Sequence, residues 1–235
     1  MIRLFIQHSL FANASIPLDE KQSHYLKHVM RQKDGDAVLL FNGMDGEWRG
    51  VLTLTKKHVL VNLQHQTRMQ THEKLLSLIF APIKRGHGDM VIEKASELGA
   101  TALYPIITDH TVVARIPIDR YQTIGMEAAE QCERLSVPTI VEAQKLDLFL
   151  KNWDSTKPII LCAEQGDAAP IADVITRSAL SEYAVMIGPE GGFTEKEFAM
   201  LRSLPFIIPV TLGPRILRAD TAAIAAISLI QALRK

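Results

Sequence analysis

The 235-residue sequence predicts an α/β fold preceded by a small β-barrel, and three features of the chain carry that expectation. Short β-rich runs separated by turn residues fill residues 3–63. From Leu75 onward, continuous apolar runs alternate with helical patterns, as buried parallel strands and their crossover helices do. Between the two regimes lies a polar stretch, residues 64–73, that reads as a linker. Two domains follow, residues 1–70 and 74–235.

In the first domain, strands are expected over residues 4–6, 37–42, 47–54 and 59–63, separated by turn signals such as Lys33-Asp34-Gly35-Asp36 and Asn42-Gly43-Met44-Asp45-Gly46. One helix interrupts them at residues 19–31, with Tyr25, Leu26, Val29 and Met30 as its apolar members. The second domain reads as strands over residues 75–81, 102–107, 139–143, 158–163, 183–187 and 206–211. Helices are expected at residues 89–98, 119–135, 146–153 and 170–179, the first stopped by Gly99. The final helix, residues 219–234, has almost no polar face, so it is either central to a large domain or shared with a second subunit.

An apolar fraction of 47% with 22% charged residues excludes a disordered chain. No apolar run reaches bilayer length, and the start Met1-Ile2-Arg3-Leu4-Phe5 lacks the zones of a signal peptide, so a soluble cytoplasmic protein without a membrane partner is expected. Cys132 and Cys162 are far apart and read as reduced core thiols. The formal charge is zero, yet residues 1–70 hold nine Lys/Arg against six Asp/Glu and five of the eight histidines. That imbalance permits an anion-binding surface at the amino end. His24 and His28 stand one helical turn apart, but no third ligand is evident and no metal site is expected.

The sharpest local feature is Val185-Met186-Ile187-Gly188-Pro189-Glu190-Gly191-Gly192-Phe193-Thr194-Glu195-Lys196-Glu197, a buried strand running into a glycine-rich loop. Thr194 and Glu197 form a capping box that starts a helix there. The loop therefore lies at a strand carboxyl end, where open α/β sheets bind ligands. It lacks the Gly-Lys-Ser/Thr of a phosphate-binding loop and the three-glycine dinucleotide spacing. A ligand needing backbone hydrogen bonds and an apolar slot, such as an adenine ring with a methionine tail, fits it; so does an ordinary tight strand-to-helix turn. The second feature is Thr211-Leu212-Gly213-Pro214-Arg215-Ile216-Leu217-Arg218-Ala219-Asp220-Thr221-Ala222. Asp220 or Thr221 could cap the last helix, and Arg218 requires a carboxylate or a phosphate as its partner.

Together these two segments resemble the signature of the RsmE family, small-subunit ribosomal RNA uridine-N3 methyltransferases of the SPOUT superfamily. Further motifs resemble the family in the same order: His24-Tyr25-Leu26 with Val29, Arg31 and Gly35-Asp36; Lys94-Ala95-Ser96-Glu97-Leu98-Gly99 with Pro105; and Glu127-Ala128-Ala129-Glu130-Gln131 with Arg134 and Val137-Pro138. The resemblance covers nearly the whole chain. It implies a PUA-like RNA-binding barrel, a SPOUT domain with a carboxy-terminal trefoil knot, a homodimer, S-adenosylmethionine as cofactor and 16S rRNA, within a small-subunit particle, as partner. The cofactor residues it implies are Leu161, Ala163, Gly188, Pro189, Glu190, Gly191, Leu212, Gly213, Ile216, Leu217 and Ala222, with the loop after Ala163.

Two departures from the family pattern stand out. An Arg-Ser pair is replaced within Thr108-Asp109-His110-Thr111, exchanging a permanent cation for the titratable His110, and Glu-Thr-Ala becomes Asp220-Thr221-Ala222. For the chemistry, Arg134 and Arg218 are the candidates for stabilising the uracil oxygens, and Asp220 or Glu197 for receiving the proton. Arg3, Arg31, Lys84 and Arg85 are candidate RNA phosphate contacts, and His24 a local RNA contact. A ribose 2′-O-methyltransferase of the same superfamily and a non-catalytic RNA-binding dimer are the rival readings.

Overall fold

A computed structural model describes residues 1–55, 58–84, 86–113, 116–163, 168–178, 180 and 182–234. The chain forms two compact units, Met1–His72 with Ala129–Val137, and Glu73–Ala128 with Pro138–Lys235.

The first unit is built on strands β1 (Ile2–Phe5), β2 (Ser15–Pro17), β3 (Ala37–Phe41), β4 (Glu47–Leu54) and β5 (Val59–Arg68), with helix α1 (Glu20–His24) running into a π-helical segment, Tyr25–Val29. The sheet order is β1-β3-β4-β5-β2, with β1 parallel to β3 and the remaining pairs antiparallel. Leu4, Ile16, Leu40, Leu52 and Val61, one from each strand, share a single core with Leu26. Both edge strands thus face the same interior, as in a sheet curled into a small barrel. Strand β5 runs through Arg68, so the expected linker at residues 64–73 is in part a strand: Gln66 pairs with Trp48 and His65 with Arg49. Its outer residues are polar because that end of the antiparallel strand is exposed.

The expected helix at residues 19–31 starts where the sequence places it, with Asp19 and Gln22 forming a reciprocal capping box. The apolar stripe does not survive. Only Leu26 is buried, while Tyr25, Val29 and Met30 are exposed. The Met30 amide bonds to the Tyr25 carbonyl at 2.9 Å, five residues back, and this wider turn rotates the later side chains off the core.

Arg3 is not a surface cation. It is 7% exposed, its Nε donates to Glu47 Oε2 at 2.6 Å, and its other nitrogens donate to the carbonyls of Ala129, Glu130 and Arg134. A guanidinium so engaged has no donor face left for a phosphate, which corrects its expected RNA contact; Arg3 instead joins β1 to Ala129–Val137.

The second unit contains β6 (Leu76–Phe80), α2 (His87–Glu97), β7 (Ala102–Ile107), α3 (Ile118–Gln131), β8 (Thr139–Ile140), β9 (Gln144–Lys145), α4 (Leu146–Asn152) and β10 (Ile159–Cys162). It continues with β11 (Ala169–Pro170), α5 (Ile171–Arg177), β12 (Tyr183–Ile187), α6 (Glu195–Ser203), β13 (Ile207–Thr211) and α7 (Ala219–Leu233). The end of α3 belongs to the first unit. The strand order is β11-β13-β10-β12-β6-β7-β8, with β9 also on β7, and each of these pairings is parallel.

Side chains of a strand alternate between faces, and the core divides accordingly. Leu78 and Val185 pack with Val91, Ile175 and Ile227 from α2, α5 and α7, whereas Ile79 and Met186 pack with Phe149 and Leu201 from α4 and α6. The sheet is therefore covered on both sides. Gly99, with φ of +85°, ends the turn after α2 as expected, because a left-handed residue there is easiest for glycine. Within α7 the buried residues are Asp220, Ala222, Ala223, Ala226, Ile227 and Ile230, while Leu229 and Leu233 are only partly covered. No helix among the described residues is long and apolar enough to cross a membrane.

Replacing Arg3 by Met should leave the buried Glu47 carboxylate with only the Thr67 hydroxyl at 2.8 Å and the more distant Arg68 at 3.8 Å, and destabilise the first unit by about 3 kcal/mol. Urea unfolding followed by Trp48 fluorescence measures the loss, and the double variant Arg3→Met, Glu47→Gln should recover part of it.

Candidate functional site

The site is set by strand register. Phe80 of β6 lies beside Ile187 of β12, and Cys162 of β10 lies between Ile187 and Val210 of β13. The segments that follow these strands consequently leave from one edge of the sheet.

The first of them begins at Gly188. A Cβ at that position would stand 2.8 Å from the Phe193 ring, so glycine is what lets Phe193 fold back over the root of the loop. Pro189 is buried, Glu190 and Gly191 are exposed, and the Gly192 amide donates to the Pro189 carbonyl at 2.9 Å. Thr194 caps α6 in the expected reciprocal box with Glu197. Glu197 also reaches a distant segment: its Oε1 accepts from the Asp109 amide at 2.9 Å while Oε2 accepts from the Thr194 amide.

His110 adds a second tie. Its Nδ1 lies 3.1 Å from the Gly191 carbonyl oxygen and 2.9 Å from that of Gly192. Two carbonyls call for a donor, so Nδ1 carries the hydrogen, and His110 holds the loop in place of contacting it as a bare cation.

The second segment turns at Thr211, whose hydroxyl donates to the Gly213 carbonyl and accepts from the Gly213 amide, both at 3.1 Å. Leu212 and Leu217 rest on the core, whereas residues 213–216 are exposed and Ile216 is 79% exposed. Arg218 occupies the N-cap position of α7 in extended conformation without a side-chain cap. Its side chain is exposed, with no hydrogen bond or ion pair to another described residue. The partner that the sequence calls for is thus absent from the described residues, and solvent makes one unnecessary.

Asp220 is not the cap. It lies within the first turn of α7, 5% exposed, with Oδ2 2.6 Å from His87 Nδ1 and Oδ1 accepting from the Thr221 amide at 2.6 Å. Burial pushes its carboxyl upward, but hydrogen bonds from His87 and from the Thr221 amide and hydroxyl outweigh it and hold the group below the ordinary carboxylate value. His87 escapes sequence reading because its partner is 133 residues away and nothing near it in the chain marks it.

The remaining candidates separate by exposure. Leu161 is fully buried in the core beneath α4 and α6 and offers no surface to a ligand, which corrects its place among the cofactor residues. Ala163 is half-buried at the end of β10, its amide bonded to the Val210 carbonyl at 3.0 Å; the loop after it and Arg85 lie outside the described residues. Ala222 is 8% exposed. Lys84, His24 and Arg31 are exposed. Arg134 belongs to the first unit and Arg218 to the second; the Arg134 carbonyl accepts from Arg3. Burial pushes the Cys162 thiol up to about 12, which leaves it unreactive near neutrality.

A family model described as the RNA methyltransferase domain matches residues 70–231, and one described as the RNA methyltransferase PUA domain matches residues 18–64. The ribosomal RNA small subunit methyltransferase E of Rickettsia conorii is 34% identical over 98% of this chain and 95% of its own length. The chain belongs to the ribosomal RNA small subunit methyltransferase E family. Its namesake in Synechocystis is 31% identical, with 98% of this chain and 77% of that protein covered. Among solved structures, the family member from Neisseria gonorrhoeae bound to S-adenosyl methionine matches with a TM-score of 0.89 at 28% identity, covering 100% of this chain and 98% of that one. The fold is thus shared with the family along the whole chain.

The depressed Asp220 carboxyl contributes stability that is fully present above 3.8 and is lost as the pH falls through its lower folded value. Wild type should therefore be more stable than Asp220→Asn near neutrality, and the gap should close as the pH falls below 3.8. Urea unfolding of both proteins across that range checks it.

Proposed function

We propose that this chain is a cytoplasmic homodimer that transfers the methyl group of S-adenosylmethionine to N3 of a uridine in 16S ribosomal RNA of the small subunit. The observation that carries the reading is that the Gly188 loop and the 212–218 segment leave the same sheet edge on either side of β10, in a chain that shares its family along nearly its whole length.

The loops fit the cofactor's chemistry. An adenine ring and a methionine tail need backbone donors and acceptors beside apolar surface; Gly188, Glu190 and Gly191 offer the former, and Pro189 and Gly213, whose backbone groups bond within their own turns, shape the two loops around the ligand. Leu212, Ile216 and Leu217 supply the latter, with Ala163 and Ala222 at the margins. S-adenosylmethionine brings an electrophilic methyl already activated by its sulfonium charge. What remains for the protein is to position the base and to manage the N3 proton and the charge it leaves behind.

Arg218 is suited to the developing charge, since its guanidinium stands exposed beside the 212–217 turn without a described partner. Arg134 is the second candidate for the uracil oxygens. For the RNA, exposed Arg31, His24 and Lys84, together with Arg85, supply phosphate contacts. Exposed Tyr25 on the π-helical segment adds a ring on which an unpaired base can stack. The dimer reading is supported by Ile216 at 79% exposure and by the partly covered Leu229 and Leu233 of α7. We read the return of β13 between β11 and β10 as part of a trefoil knot.

Purified protein, incubated with labelled S-adenosylmethionine and 16S rRNA or small subunits from a strain lacking the enzyme, should place one methyl group on a uracil N3, located by mass spectrometry of digested RNA. Arg134→Ala and Arg218→Ala should each slow transfer by about 10²-fold while binding the cofactor normally. A methyl group on a ribose oxygen, or full activity in both variants, would overturn the assignment.

A further inference from the structure

We propose that His87, held by Asp220, is the general base that takes the N3 proton of the target uridine. This rests on the reading of the chain as a uracil-N3 methyltransferase, and it replaces Asp220 as the proton acceptor by the residue Asp220 orients.

The geometry is that of a carboxylate-histidine dyad. Asp220 Oδ2 and His87 Nδ1 are 2.6 Å apart, with the carboxylate side chain 7% exposed and the imidazole 49% exposed. A carboxylate only accepts, so Nδ1 carries the hydrogen and the basic lone pair is on Nε2, on the open part of the ring. The other Asp220 oxygen is filled by the Thr221 amide at 2.6 Å and hydroxyl at 3.2 Å. A buried carboxylate so satisfied is a weak base, yet it stabilises the imidazolium that forms when Nε2 takes a proton.

Position also favours His87. It opens α2, reached by the segment that leaves β6. The first residue of that segment, Ala81, donates its amide to the Ile187 carbonyl at 3.1 Å, at the root of the glycine loop. Asp220 lies two residues beyond Arg218. The dyad therefore joins the β6 segment to the start of α7, at the edge where both signature loops emerge.

The alternatives are less suited. Glu197 has its oxygens committed to the Asp109 amide and to the Thr194 amide and hydroxyl. His110 bonds two neutral carbonyls, which do not offset a new positive charge as a carboxylate does. Among the described residues, the charged group bonded to His87 is Asp220 on α7; Asp89 on its own helix is bonded to Arg120 of α3, and in the chain exposed Lys84 comes three residues before His87 and exposed Arg218 two before Asp220.

The step balances as a proton transfer with a methyl transfer. Nε2 of His87 takes the N3 hydrogen as a proton, and the N3 electron pair forms the new bond to the methyl carbon. The carbon–sulfur bond breaks with its pair going to sulfur, leaving S-adenosylhomocysteine. The imidazolium then returns its proton to water.

The test compares wild type with His87→Asn, His87→Lys and Asp220→Asn, each checked for S-adenosylmethionine binding by calorimetry. His87→Asn should bind the cofactor as wild type does, slow kcat by roughly 10²-fold or more, and lose the ionisation along which the wild-type rate rises with pH. His87→Lys restores a cation opposite Asp220 without a neutral base, and should stay as slow. Independently of activity, nitrogen NMR of the histidines should show the neutral His87 ring carrying its hydrogen on Nδ1 in wild type, and a weaker preference for that tautomer in Asp220→Asn. Wild-type rates in His87→Lys, an unchanged pH profile in His87→Asn, or a His87 protonated on Nε2 when neutral would overturn the proposal. A wild-type protein that methylates ribosomal RNA only at a ribose oxygen, or not at all, would instead overturn the function it rests on.

Discussion

Strand β12 has no water on either side: all five of its residues are buried, helices cover both faces, and β6 and β10 flank it. Its backbone donors and acceptors can be satisfied only by those neighbours, and the parallel ladder that results aligns the strands in one direction. Everything that follows a strand must then leave from the same edge. The segment from β6 to His87, the glycine loop after β12 and the 212–218 turn after β13 are gathered by that constraint before any specific side chain acts.

Buried carboxylates then fix the loops. In the first unit Glu47 receives Arg3 and the Thr67 hydroxyl; in the second, Glu197 ties the segment after β7 to the start of α6, and Asp220 ties α7 to α2. Each joins segments distant in the chain, and each has partners enough to offset the loss of water. Such joints carry specificity at a cost: removing one partner leaves a buried charge with too few donors to replace the water it gave up. The same arrangement gives the site its chemical asymmetry, since Asp220 is satisfied and weakly basic while the imidazole it holds keeps one nitrogen open.

The first unit shows the converse. Its π-helical segment keeps Leu26 in the core and turns Tyr25, Val29 and Met30 outward among His24, His28 and Arg31. The wider turn leaves an exposed ring on a segment that also carries two imidazoles and the Arg31 cation, a combination a single-stranded nucleic acid can use.

By itself the sequence determined the alternation of strands and helices, the capping box at Thr194, the stop at Gly99 and both signature loops, because periodicity, caps and glycine signals are local and act within a few residues. It also determined the family, through ordered motifs along the chain. Only the tertiary structure decided that Arg3 is buried, that Leu161 has no surface for a ligand, that residues 64–68 complete a strand, and that Asp220 belongs to His87 and not to the helix cap. Those outcomes depend on partners such as Glu47 or His87, at separations of 44 and 133 residues. A charged side chain reads the same in sequence whether it faces water or a carboxylate, and only packing selects between them.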